Sequence, residues 1–218
     1  MDLSKVVVMS DFDETIVNID TAEFALERFA DPSWRRIDQQ FERGEISFEE
    51  SLRNEFAMIN APEKVILDEL DKVVVLRPNF DKLIEYCKKQ RLPLIVVSGG
   101  LEFCIRHFLD RKGWLKFVEI YAPKSKYTGE GYEVNMPKQF GKASINFKDD
   151  LVRHHKEQDK RVIYIGDGLG DFPAAREADF SFAIKGSKLA EACRKGNVPH
   201  REITDFQELV DAIDDLKD

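Results

Sequence analysis

The sequence predicts an α/β fold: a parallel sheet covered by helices on both faces in three layers, with a small helical domain inserted near its start. Three observations carry that expectation. Short apolar runs at Val6 to Met9, Leu94 to Val97, Val162 to Ile165 and Phe180 to Ile184 alternate with helix-like segments, the pattern of strands buried on both faces. The first three runs each feed a polar cluster, DFDET, SGG and GDGLGD in turn. Between the first two runs the apolar spacing is helical throughout, which interrupts the alternation.

Taken in order, the first run leads into Asp11 and Asp13, separated only by Phe12, before apolar residues return at Ile16 and Val17. Like charges at the end of a buried strand repel each other and lose hydration, so a cation from outside the chain is expected to hold them. Asp20 with Glu23 reads as a capping box ahead of a helix whose face is Ala22, Ala25, Leu26 and Phe29. Asp31-Pro32 opens a second helix, with Trp34, Ile37 and Phe41 inward and Gly44 near its end. Ser47 with Glu50 precedes Phe48, Leu52, Phe56 and Ile59, and Pro62 opens a shorter helix through Leu67 and Leu70. Four helices with apolar faces of their own predict a helical domain over residues 17–76, inserted into a core made of 1–16 and 77–218.

The core resumes with a helix from Pro78 to Gln90, the Leu94 strand, and a helix from Leu101 that Gly113 can end. From Phe117 to Met136, Pro123, Gly129 and Gly131 punctuate β-branched and aromatic residues, predicting a small β hairpin or flap. A helix starting at Lys148 feeds the Val162 strand, and Phe172-Pro173-Ala174-Ala175 opens another that packs on the sheet. His154 and His155, adjacent on the Lys148 helix, face different directions and are expected on the solvated surface instead of on a ligand.

At 218 residues the chain can bury one substantial core and a satellite. Its 33 Lys and Arg against 41 Asp and Glu, a net charge of -8, argue against a general nucleic-acid or anionic-membrane binder. No apolar run approaches the roughly 18 residues that span a bilayer, and no targeting pattern stands at Met1, so a cytoplasmic protein is expected. Cys87, Cys104 and Cys193 are far apart without CxxC spacing and read as buried thiols, not a disulfide framework or zinc site.

Open α/β sheets place their sites outside the carboxyl ends of the strands, so the three clusters are expected to meet in one crevice. Their order and kind resemble the haloacid dehalogenase superfamily of phosphotransferases: Asp11-Phe12-Asp13-Glu14-Thr15 as its DxDx(T/V), Ser98-Gly99-Gly100 as its second motif, Lys148 as its lysine, and Gly166-Asp167-Gly168-Leu169-Gly170-Asp171 as its acidic pair. The resemblance implies a Rossmannoid three-layer core, a C1-type four-helix cap acting as a lid, and a phosphomonoester hydrolase working through an aspartyl-phosphate. It makes Asp11 the nucleophile and Asp13 the general acid and base. Mg²⁺ would be held by Asp11 and Asp167 carboxylates, the Asp13 carbonyl and Asp171. Ser98, the N–H groups of Gly99 and Gly100, and a lysine would hold the phosphate.

The chemistry needs those residue types. A phosphate dianion repels a carboxylate nucleophile, so a divalent cation must neutralise charge first, and an oxygen-rich acidic site suits Mg²⁺. Lys148 is favoured for the ammonium, with Lys142 just upstream as the alternative. Asp20, nine residues beyond Asp11, is either a substrate contact or simply the helix N-cap.

Within the superfamily, DFDETIVNIDT, GEISFEESLRNEF and IVVSGGLEF look like the phosphoserine phosphatase branch. The position expected to carry that branch's carboxylate-binding arginine is Glu55, which would repel the substrate, and Arg53 replaces it only if the register slips. A closer resemblance is to methionine-salvage phosphatases that hydrolyse 2-hydroxy-3-keto-5-methylthiopentenyl-1-phosphate. It rests on Ala30-Asp31-Pro32-Ser33-Trp34, Asp20, Val97 to Phe103, and Phe182-Ala183 followed by Leu189 to Asn197, although the cysteine-rich segment of some of those enzymes is missing. The implied partner is a small phosphorylated metabolite, with no nucleic acid and no membrane, and the chain is expected to be a monomer or homodimer. The competing classes are a phospho-accepting receiver domain, which is about half this length with its acceptor on a middle strand, and a binding protein that kept the fold without activity.

Overall fold

A computed structural model describes residues 2–141 and 143–215. Strand β1 (Val6–Ser10) is buried along its whole length, as its unbroken apolar run requires. Four helices follow: α1 (Thr21–Phe29), α2 (Trp34–Glu42), α3 (Phe48–Phe56) and α4 (Glu63–Leu70). Their starts are set by side-chain caps where the sequence marks them, Asp20 accepting from Glu23 N at 2.7 Å and Ser47 from Glu50 N at 3.2 Å. The inward face of α2 differs from expectation: Trp34 is buried, whereas Ile37 and Phe41 are only half-buried. Phe41 instead turns to the crevice below, its ring 5.4 Å from that of Phe48.

The chain then forms α5 (Phe80–Gln90), β2 (Leu94–Val97), α6 (Glu102–Arg111), β3 (Glu119–Tyr121), β4 (Lys124–Tyr127), β5 (Tyr132–Asn135), α7 (Phe147–Glu157), β6 (Arg161–Gly166), α8 (Phe172–Glu177), β7 (Phe180–Ile184), α9 (Lys188–Lys195), β8 (Arg201–Ile203) and α10 (Phe206–Asp215). Helix α5 begins at Phe80 and not at Pro78, because Asn79 takes a left-handed φ of 65° that a helix cannot continue through. Gly113, at φ 67°, supplies the turn after α6.

The main sheet has the order β3-β2-β1-β6-β7-β8 with every pairing parallel. Strand order reverses beside β1, so right-handed crossovers send helices to both faces: α5 packs against α10, while α7, α8 and α9 pack in succession. The edge strands β3 and β8 are additions to the sequence reading; three residues each and partly exposed, they lack a full apolar run to announce them.

Strands β4 and β5 form the expected antiparallel hairpin. It braces the α3 end of the inserted helices: Tyr132 Oη donates to the Ala61 carbonyl at 2.8 Å, and a Cβ on Gly131 would lie 1.9 Å from the Ala57 carbonyl oxygen. Cys87, Cys104 and Cys193 are buried and free, as expected. His154 and His155 are half-buried, not solvated, because the segment before α7 folds over the helix and stacks Phe140 on His154 with ring centroids 3.7 Å apart. No helix among the described residues is long and apolar enough to cross a membrane.

Candidate active site

The clusters after β1, β2 and β6 meet because these strands are adjacent and parallel, so their carboxyl ends share one edge of the sheet. Asp11 continues the ladder, its N–H donating to the Ile165 carbonyl at 2.8 Å. Its Oδ1 accepts from Phe12 N at 2.7 Å and its Oδ2 lies 2.9 Å from Lys148 Nζ. The same ammonium lies 2.6 Å from Asp171 Oδ1. Asp171 also accepts from Tyr164 Oη at 2.6 Å, Asp167 N at 3.0 Å and Gly168 N at 2.9 Å, while Asp167 accepts from Thr15 Oγ1 at 2.8 Å. Lys148 is brought there by its place in the first turn of α7, which Asn146 and Asp149 cap reciprocally. Asn146 Nδ2 then ties the helix start to the Gly170 carbonyl at 2.9 Å.

Carboxylate oxygens of Asp11, Asp167 and Asp171 lie within 4.8 Å of one another, all three residues buried. One ammonium cannot neutralise them. Burial and then the Asp171 charge push Asp11 up to about 7, and burial, Asp171 and Asp11 push Asp167 up to about 9. Burial works the same way on Asp171, but Lys148, Tyr164 and the Gly168 N–H outweigh it and hold its carboxyl below the usual range. Lys148, in turn, is pulled down by burial and held above the usual lysine range by Asp11 and Asp171. A compact, oxygen-only cluster with excess buried negative charge fits a divalent cation of the Mg²⁺ kind.

Asp13 stands outside that trio. Its Oδ1 accepts from Thr21 N at 2.8 Å and Thr21 Oγ1 at 2.6 Å, so the first residue of α1 aims it. Its other oxygen lies against Gly100, where a Cβ would sit 2.2 Å away. Burial, followed by the charge of Asp20, pushes Asp13 well above its ordinary value, the direction that suits a group giving a proton. Ser98 is fully buried at the end of β2, its Oγ accepting from Gly100 N at 3.0 Å. Asp20 keeps the N-cap role and also lines the crevice. One crevice of about 230 Å³ gathers Asp11, Asp13, Asp20, Ser98, Gly99, Gly100, Lys148, Asp167 and Asp171. Lys142 lies outside the described residues.

Residues 8–176 match the haloacid dehalogenase-like hydrolase family. The chain belongs to that family.

Similar proteins include a 2-hydroxy-3-keto-5-methylthiopentenyl-1-phosphate phosphatase of Geobacillus kaustophilus, 27% identical over 96% of each chain, and one of Brevibacillus brevis, 27% identical over 94% of each. A solved phospho-aspartyl intermediate analogue of a phosphoserine phosphatase superposes with a TM-score of 0.70 at 19% identity, over 95% of this chain and 98% of that one. A phosphoserine phosphatase from T. onnurineus gives 0.68 at 18% identity over 96% and 94%. Those structures bear on the fold alone. With the family and its curated relatives, this haloacid dehalogenase-like hydrolase is a phosphatase.

Two features of this hydrolase's crevice depart from the sequence reading. Phe48, read there as part of a helix core, is half-buried and wedged between the loops: a Cβ on Gly99 would come within 2.7 Å of its ring, and one on Gly170 within 2.8 Å. The ring stacks 5.8 Å from Phe147 and lies 5.7 Å from the Lys148 ammonium. A helical apolar stripe gives no signal for this; the glycines of SGG and GLGD are its only trace. Tyr164, an inward residue of an apolar strand, gave no signal for its bond to Asp171. Glu55 does line the crevice, whereas Arg53 is exposed and lies outside its lining.

Proposed function

We propose that the chain hydrolyses a small phosphomonoester in two displacements at Asp11, with Mg²⁺ as cofactor and the helices of residues 17–76 as a cap. Asp11 attacks phosphorus and becomes an aspartyl-phosphate, while Asp13 gives its proton to the departing alkoxide. Asp13, now a carboxylate, takes a proton from the water that opens the acyl-phosphate, which restores both groups. Ser98, the N–H groups of Gly99 and Gly100, and Lys148 hold the phosphate oxygens. Asp11, Asp167 and Asp171, with the Asp13 carbonyl, would hold Mg²⁺, which supplies the positive charge that lets a carboxylate approach a phosphate dianion.

The observation that carries this reading is the buried Asp11, Asp167 and Asp171 trio with Lys148 against it and the buried Asp13, aimed by Thr21, beside it. The names of the curated relatives make the methionine-salvage ester one candidate substrate. Phosphoserine fits less well: no arginine lines the crevice among the described residues, and Glu55 would repel its carboxylate. The test is phosphate release from a phosphomonoester panel with Mg²⁺ or EDTA. Asp11→Asn is expected to lose more than about 10³-fold in kcat, and Asp13→Asn about 10²–10⁴-fold. Full activity in Asp11→Asn, or in EDTA, would remove the mechanism.

A further inference from the structure

The outer half of the crevice has a charge problem that the reaction does not use. Glu55, on α3, is only 8% exposed and lines the crevice, and its carboxyl group makes no hydrogen bond or ion pair among the described residues. An isolated buried carboxylate is costly unless a partner arrives. Its electrostatic surroundings make matters worse: Asp38, Asp20 and Glu23 are the charges that act on it, and all are acidic. Burial, then those charges, push its carboxyl up to about 8.

Among the described residues, the two cations that line the crevice are already engaged. Lys148 sits between Asp11 and Asp171, and Lys188, at the rim, lies 3.0 Å from Glu42. Aromatic rings add to the wall: Trp34 and Phe41 from α2, and Phe48 and Phe56 from α3, line the same space, the Arg35 guanidinium lying 4.6 Å from the centroid of the Trp34 ring. Carboxylates interleaved with π faces select an organic cation, since the ring quadrupole attracts a positive charge that need not be fully hydrated. A neutral leaving group would bring no counter-charge to this wall, and an anionic one would meet Glu55, Asp38, Asp20 and Glu23, all acidic.

We propose that the leaving group of the substrate carries a positive charge, a protonated amine or a quaternary ammonium, seated against Glu55 and the aromatic wall while its phosphate lies at Asp11. This rests on the phosphatase reading above and names the substrate class for the same site. Glu55, Asp38 and Asp20 then act as specificity residues, and the acid-rich crevice gains its missing counter-charge only when the substrate enters. The reaction stays balanced as written: the phosphoryl group passes to Asp11 and then to water, and the cationic alcohol leaves with the proton from Asp13.

The experiment compares kcat/KM for choline phosphate and ethanolamine phosphate with those for p-nitrophenyl phosphate and the methionine-salvage ester. Wild type, Glu55→Gln and Asp38→Asn are assayed with Mg²⁺, with folding of each variant checked by thermal melting. The cationic esters are expected to exceed the neutral ones by about tenfold or more, and the cationic-to-neutral ratio is expected to fall about tenfold in Glu55→Gln and in the same direction in Asp38→Asn. Asp38 lies on α2, so a misfolded α3 variant does not leave the idea untested. Release of phosphate from the neutral esters with no cationic preference, or a ratio that neither variant moves, would overturn this inference and leave the phosphatase reading standing. No release from any ester, p-nitrophenyl phosphate included, would remove both.

Discussion

Glu55 shows at the scale of one residue how a binding site costs stability. Its carboxyl has an ordinary value of 4.5 and is pushed to about 8 in the fold, by burial and then by Asp38, Asp20 and Glu23. Between those values the unfolded chain releases a proton that the folded chain keeps, so rising pH favours unfolding. The penalty is absent below about pH 4.5 and complete above about pH 8, and at about 1.4 kcal/mol per tenfold change in proton affinity it is no larger than about 5 kcal/mol. Glu55→Gln is therefore expected to melt near the wild-type temperature at pH 5 and increasingly above it toward pH 8.5. A difference between the two melting temperatures that stays flat across that range would mean the carboxylate is ionised throughout. Lys148, only 2% exposed, keeps its ammonium for a different reason, because two carboxylates face it.

At the scale of elements, α3 reaches the loops after β2 and β6 through Phe48. Its ring rests on two glycines, one after β2 and one after β6, and each would collide with it on gaining a methyl group. Those glycines are needed for close approach, not for an unusual backbone angle, since neither has a positive φ. Gly99→Ala is expected to weaken kcat and raise KM together by holding α3 off the loops. Adding Phe48→Ala should return part of that loss, with a coupling energy of about 0.5–3 kcal/mol in a double-mutant cycle. Strict additivity would show that the ring does not set the position of α3. The β4–β5 hairpin supports the other end of α3, where Gly131 meets the Ala57 carbonyl.

At the scale of the whole molecule, the inserted helices leave and rejoin the core through two adjacent strands of chain. Val17 bridges Leu76, Asn18 pairs with Val75, and the Arg77 guanidinium donates to the carbonyls of Thr15, Glu14 and Thr204. The acidic trio joins loops from both halves of the sheet, so a cation there links segments more than 150 residues apart in the chain. Mg²⁺ at about a hundred times its dissociation constant is expected to stabilise the fold by about 2.7 kcal/mol. The readout is a Mg²⁺-dependent rise in Tm, reversed by EDTA and lost in Asp167→Asn. A rise of equal size in that variant would place the ion elsewhere.

Much of this was legible in the sequence because it is local or periodic. Apolar runs of the right length named β1, β2, β6 and β7, caps at Asp20 and Ser47 dated two helix starts, and polar clusters at strand ends could only project from one edge of a parallel sheet. The order of Asp11, Ser98, Lys148 and Asp167 along the chain therefore foretold both the fold and the crevice. What only the tertiary structure decided are contacts between segments distant in the chain: which acids Lys148 pairs with, the wedge that Phe48 makes between two loops, and the lack, among the described residues, of a partner for the Glu55 carboxyl group. A residue's own sequence neighbours carry no information about those contacts, because helix and strand periodicity says which face is buried and is silent on what lies across from it.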